Sequence, residues 1–127
     1  MAYRILIANE NVDERSRLAD LLTTAGYDAT AAPSFEDARH LLDVRPPDLL
    51  IAHLRLGAFN GLHLVLRGRA DRPDMSAIIT TGPEDHAIKS EVADFGVLCV
   101  QTPLGGTERF LAVVAKAIEG RGAPVWH

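Results

Sequence analysis

The run "PDLLIAHLRLGAFNG" carries four apolar residues, Leu49 to Ala52, and ends them in His53 just before a glycine-containing loop. Other groups able to move a proton, bind an ion or meet a phosphoryl group also sit at the ends of apolar runs. Asn9 and Glu10 follow "RILIA", Thr80 and Thr81 close "MSAIITT", and Thr102 follows "VLCVQ". A protonated imidazole beside a carboxylate forms an ion pair. An unperturbed histidine titrates near about 6.5, so a His53–Glu10 pair would make its surroundings pH-sensitive. Three other readings stay open: a neutral His53 hydrogen-bonded to a neighbour, phosphohistidine chemistry, and a transition-metal site of His53, Glu10 and His86. The last has no recognisable ligand spacing. No GxGxxG, P-loop or Ser/His/Asp arrangement is present, so nucleotide binding and hydrolysis have no motif behind them.

These groups need a scaffold, and the chain alternates short apolar runs with helical stripes. The runs at 4–8, 28–32, 48–53, 75–81 and 97–101 read as strands. Leu18, Leu21, Leu22 and Ala25 form the first helical stripe, opened by Asn11 with Glu14 and stopped by Gly26. Ser34 with Asp37 opens a second helix bearing Phe35, Ala38, Leu41 and Leu42. The third, 61–70, presents Leu62, Val65 and Leu66, with Gly68 weakening it by roughly 1 kcal/mol relative to Ala. Ile88, Val92 and Phe95 mark the fourth, and Phe110, Val113, Val114, Ala117 and Ile118 mark the fifth, closed by Gly120. His40 and His63 fall on helices and face solvent in this reading.

Strands alternating with helices of about three turns imply an α/β domain: a doubly wound, five-stranded parallel sheet covered by helices on both faces. Right-handed crossovers favour the strand order 2-1-3-4-5. Sites in such sheets form outside the carboxyl ends of the strands where the order reverses, here between the first and third. That places Glu10 and His53 in one crevice, with Thr81 and Thr102 approaching from the fourth and fifth strands.

Composition fits one domain over 1–120 and a tail, 121–127, whose Trp126 belongs to a disordered end or a small docking handle. Of the 127 residues, 47% are hydrophobic and 24% charged, and the net charge of -4 comes without a dense Lys/Arg cluster, which argues against nucleic-acid binding. The single cysteine, Cys99, excludes a disulfide framework and reads as a small core residue. No apolar stretch approaches the roughly 18 residues of a membrane span, and no signal peptide is visible. A cytoplasmic protein without membrane contact is the expectation.

At this level of detail the sequence resembles a response regulator receiver domain, the CheY-like, flavodoxin-like module of two-component signalling. The likeness covers about nine tenths of the chain and rests on "RILIANEN", "RPPDLLIAHLRLGAFNGLHL", "AIITTG" and "VQTPL". Carried over singly, the family's two acids fall on Asn9 and Glu10 and its phosphoacceptor aspartate on His53. Its switch hydroxyl falls on Thr81, followed by the small Gly82. Its lysine falls on Thr102, before the retained Pro103, and its aromatic switch position falls on Cys99.

The resemblance therefore implies a degenerate receiver. Imidazole cannot form an acyl phosphate, and Thr102 brings no cation to the phosphoryl group. Glu10 is a weak metal candidate, so no resident cofactor is expected and Mg²⁺ binding should be weak or absent. The expected function is non-catalytic and binding-based, with a sensor kinase, another regulator or an output domain as partner. The rivals are phosphorylation at another residue and a proton or small-ligand sensor at the His53 crevice. Family analogy puts contacts or homodimerisation on the fourth helix, fifth strand and fifth helix, at Lys89, Asp94, Cys99, Arg109 and Lys116. The output then lies in another protein or in a longer regulator.

Overall fold

Each apolar run becomes a strand of one sheet. In chain order the elements are β1 (Arg4–Ala8), α1 (Val12–Thr24), β2 (Asp28–Ala32), α2 (Phe35–Val44), β3 (Leu49–His53), β4 (Arg55–Leu56), β5 (Phe59–Asn60), α3 (Gly61–Asp71), β6 (Ser76–Thr81), β7 (Leu98–Gln101) and α4 (Thr107–Glu119). The computed structural model describes residues 2–83, 85, 92, 94–102 and 105–119. Lys89, His86, most of the expected fourth helix, Pro103, Gly120 and the tail with Trp126 lie outside the described residues; α4 is the helix counted fifth from the sequence.

The sheet runs β2-β1-β3-β6-β7, every pairing parallel. This is the expected order 2-1-3-4-5 once β4 and β5, a separate antiparallel hairpin, are set aside. Successive strand residues point to opposite faces, so each strand feeds two cores. Leu6, Ala8, Leu50, Ala52 and Ile79 pack with Ala38 and Leu42 of α2 and Leu64 and Val65 of α3. Ile5, Ile7, Leu49, Ile51 and Ile78 pack on the other face with Leu18 and Leu22 of α1 and Phe110, Val114 and Ile118 of α4. Both faces covered is why β3 reads as a continuous apolar run.

Local chemistry sets the helix ends. The Asn11 side chain accepts from the Glu14 amide and the Ser34 hydroxyl from the Asp37 amide, each satisfying an otherwise unpaired first-turn N–H. Gly26 takes a φ of 97° just past α1. Arg45 ends α2 because Pro46 follows it.

The stripe of α3 differs from expectation. Gly61, Leu64, Val65 and Gly68 are buried, whereas Leu66 is 53% exposed. The small residues let the helix settle close to its neighbours: a Cβ on Gly61 would stand 3.0 Å from Ala52 Cβ in the sheet, and one on Gly68 2.6 Å from Met75 Cε. Two further residues leave their expected stripes: Ala25 is an exposed C-cap, and Phe95 sits exposed in a turn. Among the described residues no helix is long and apolar enough to cross a membrane.

Candidate functional site

At the carboxyl ends of β1 and β3, a cavity of about 390 Å³ is lined by Asn9, Glu10, Asn11, Glu14, His53, Arg55, Gly82, Pro83 and Thr102. Four residues singled out from the sequence, Asn9, Glu10, His53 and Thr102, are thus brought together. Their pairings are not the expected ones.

Parity along β3 decides what His53 meets. His53 shares the face of Leu49 and Ile51, which α1 covers. Glu14 lies on the same stripe of α1 as Leu18 and Leu22, four and eight residues on. Its carboxylate therefore reaches the crevice, and Oε1 accepts from Asn9 Nδ2 at 2.8 Å and stands 3.7 Å from His53 Nδ1. Thr80, the β6 register partner of His53, places its hydroxyl 2.9 Å from the same Nδ1. Glu10 is not the partner of His53: its Oε1 accepts the Gly57 amide at 2.9 Å.

The same alternation turns Thr81 away from His53. It shares the face of Ile79 and Cys99, and its hydroxyl stands 3.8 Å from Cys99 Sγ. Thr102 is buried, and its amide and hydroxyl both donate to the Thr81 carbonyl, at 2.7 and 3.3 Å. Asn9 is 2% exposed with both ends of its side-chain amide engaged, since Oδ1 also accepts the Asn11 amide at 2.9 Å. Arg15 Nη1 donates to the Asn9 carbonyl at 2.9 Å.

Across the mouth, Arg55 grips buried Asp85: Nε lies 3.0 Å from both carboxylate oxygens and Nη2 is 2.6 Å from Oδ1. Sequence reading takes Glu14 only as part of a helix cap and Thr80 only as a strand-end hydroxyl, and it misses this ion pair. Parity along the strands was a signal for the first two; nothing local marks the third. Among the described residues no group of three or more His, Cys, Asp or Glu is arranged to hold a metal ion. Asp94, Arg109 and Lys116 are exposed and Cys99 half-buried; Lys89 lies outside the described residues.

Comparison with known proteins fits this geometry. The virulence transcriptional regulatory protein PhoP of Salmonella typhimurium is 29% identical over 93 residues, 73% of this chain and 42% of that protein. The transcriptional regulatory protein PhoP of Escherichia coli O157:H7 is 28% identical over the same length. The chain thus spans about two fifths of the curated relatives it matches. Among solved structures, a response regulator receiver protein from Pseudomonas putida superposes with a TM-score of 0.80 at 28% identity, over 91% of this chain and 98% of that one. A receiver domain protein from Clostridium thermocellum gives 0.82 at 19% identity, over 94% and 95%, a likeness of fold. The family described as the response regulator receiver domain matches residues 5–100. By that match, and by its sheet order, the chain belongs to the response regulator receiver domains of two-component signalling.

Proposed function

We propose that this receiver is not switched by aspartyl phosphorylation and acts as a non-enzymatic signalling module, through contact with a sensor kinase, another regulator or an output domain. One observation carries the reading: the side chain at the end of β3 is an imidazole, His53, engaged at Nδ1 by the Thr80 hydroxyl. An acyl phosphate needs a carboxylate oxygen as nucleophile, and His53 offers none.

The surrounding donors support it. Mg²⁺ takes hard oxygen ligands in near-octahedral geometry. Here the Asn9 amide is committed to Glu14 and to the Asn11 amide, and Glu10 Oε1 to Gly57. That donor set does not suit Mg²⁺. Nor does a cation face the place of a phosphoryl group from Thr102, whose hydroxyl points at the Thr81 carbonyl. The partner surface in this reading includes Asp94, Arg109 and Lys116, with a cytoplasmic location and homodimerisation through that face as its natural extensions.

An amide-resolved NMR titration with Mg²⁺ and then beryllofluoride, a phosphoryl mimic, tests the proposal. No shift at Glu10, His53, Thr80 or Thr81 is expected. Saturable shifts spreading to Cys99 would overturn it.

A second reading, a proton sensor, is favoured by the 3.7 Å approach of Glu14 to His53. Among the described residues, Glu10, Arg15, Arg55 and Asp85 are the other charged groups around that crevice. Titration of the His53 ring that moves the amides of Thr81 and Thr102 would support it; titration that leaves them still would remove it.

A further inference from the structure

The hairpin of β4 and β5 has two residues per strand, too few to hold itself together in water. Three of its residues are anchored from three directions. Arg55 is bound to Asp85, beyond β6. The Gly57 amide donates to Glu10, beyond β1. Phe59 stacks on Phe35 of α2 with ring centroids 4.3 Å apart and 15° between planes, and His63 meets both rings edge-on.

From this arrangement we infer that the hairpin is a closed strap: it holds the crevice in a single conformation with no ligand bound, so the domain is pre-set. The inference rests on the proposed function, because it names what takes over from ion and phosphoryl group.

Charge and backbone explain the holding. Asp85 is 4% exposed, and a carboxylate withdrawn from water is stable only with a close partner, which Arg55 supplies with two nitrogens. Gly57 has a φ of 61°, a left-handed conformation that suits glycine, and this turns its amide toward Glu10. Glu10, itself exposed, is thereby engaged by the protein's own backbone. Arg55, Gly57 and Phe59 fall within five consecutive residues, with Leu56 between them buried in the core at 1% exposure, so a backbone displacement at one anchor is passed to the others. The strap opens as a unit.

Hydrogen exchange at the Gly57 amide reads this directly. It should be protected in the native domain, and Arg55→Gln or Phe35→Leu should each reduce protection on the order of tenfold although neither touches that hydrogen bond. The double variant should exchange no faster than the faster single one. Arg55→Lys, which keeps the charge but not the two-pronged grip, should fall between native and Arg55→Gln. An unprotected native Gly57, indifference to both substitutions, or effects that multiply in the double variant would each overturn the strap. A beryllofluoride response would instead overturn the proposed function, so the two fail separately.

Discussion

The Glu14 carboxylate, carried on the first turn of α1, links two walls of the crevice: one oxygen accepts from Asn9 at 2.8 Å and stands 3.7 Å from the imidazole of His53. The side chains of both Glu14 and His53 are largely covered, at 25% and 18% exposure, so the contact operates with partial screening.

Glu14→Ala should lower stability by ~1 kcal/mol, or ~4 °C in melting temperature, because the Asn9 amide then lacks an acceptor inside the protein. Glu14→Gln keeps an oxygen there and should lose less than half as much. Thermal unfolding of the two variants separates the possibilities. Equal losses would show that the charge facing His53, and not the hydrogen bond, matters.

Adding carboxylates at the strand ends should strengthen Mg²⁺ binding in the crevice. His53→Asp alone leaves Asn9 and Thr102 in place and should bind Mg²⁺ weakly. Adding Asn9→Asp and Thr102→Lys should tighten it by at least about tenfold and produce a saturable beryllofluoride response, through extra hard oxygens and a cation for the phosphoryl mimic. Calorimetry and NMR would show whether the scaffold keeps its latent capacity.

Two glycines of α3 should respond differently to alanine. A Cβ on Gly61 would stand 2.6 Å from the His53 backbone carbonyl and 3.0 Å from Ala52 Cβ. Backbone cannot swing aside, so Gly61→Ala should cost about 1–3 kcal/mol and shift the His53 amide signals. A Cβ on Gly68 would instead meet the flexible end of Met75, at 2.6 and 2.8 Å. The gain of roughly 1 kcal/mol in helix propensity offsets that displacement, so Gly68→Ala should stay within ~1 kcal/mol of the native domain in urea unfolding.

Arg69 ties α3 to the turn before β7, donating to the carbonyls of Met75, Phe95 and Gly96 at 3.1, 2.7 and 3.3 Å. Burial lowers its pKa from the ordinary arginine value. The folded state therefore releases this proton more readily than the unfolded chain, and its contribution to stability rises with pH only in the strongly alkaline range between the two values. Below that range it is constant. Arg69→Leu should thus cost about 1–3 kcal/mol by stripping three carbonyls of donors, and the same amount at every pH from about 6 to 9.

Much of the scaffold is written locally. Strand order follows from the apolar runs and the crossover rule, and Asn11 and Ser34 cap the helices their positions announce. Pairings inside the crevice are written in parity and in distant elements instead. Glu14 looks like part of a capping pattern, and its backbone amide does play that part; its side chain simply has a second partner. The buried stripe of α3 eluded a count of apolar residues because two of its four members are glycines. Strands of two residues have no measurable period, which hid the hairpin, and Asp85 resembles any loop acid until Arg55 is placed beside it.

The central position of β3 has a kinetic consequence. Both of its neighbours are parallel, pairing Ile5 with Leu49 and Leu49 with Ser76, so each side of the strand closes only after a complete helical crossover has been laid down. Such long-range closures pay chain entropy before contacts repay it. The crevice draws Asn9, His53 and Thr80 from the ends of three separate strands, so its geometry comes into being only when those strands have paired.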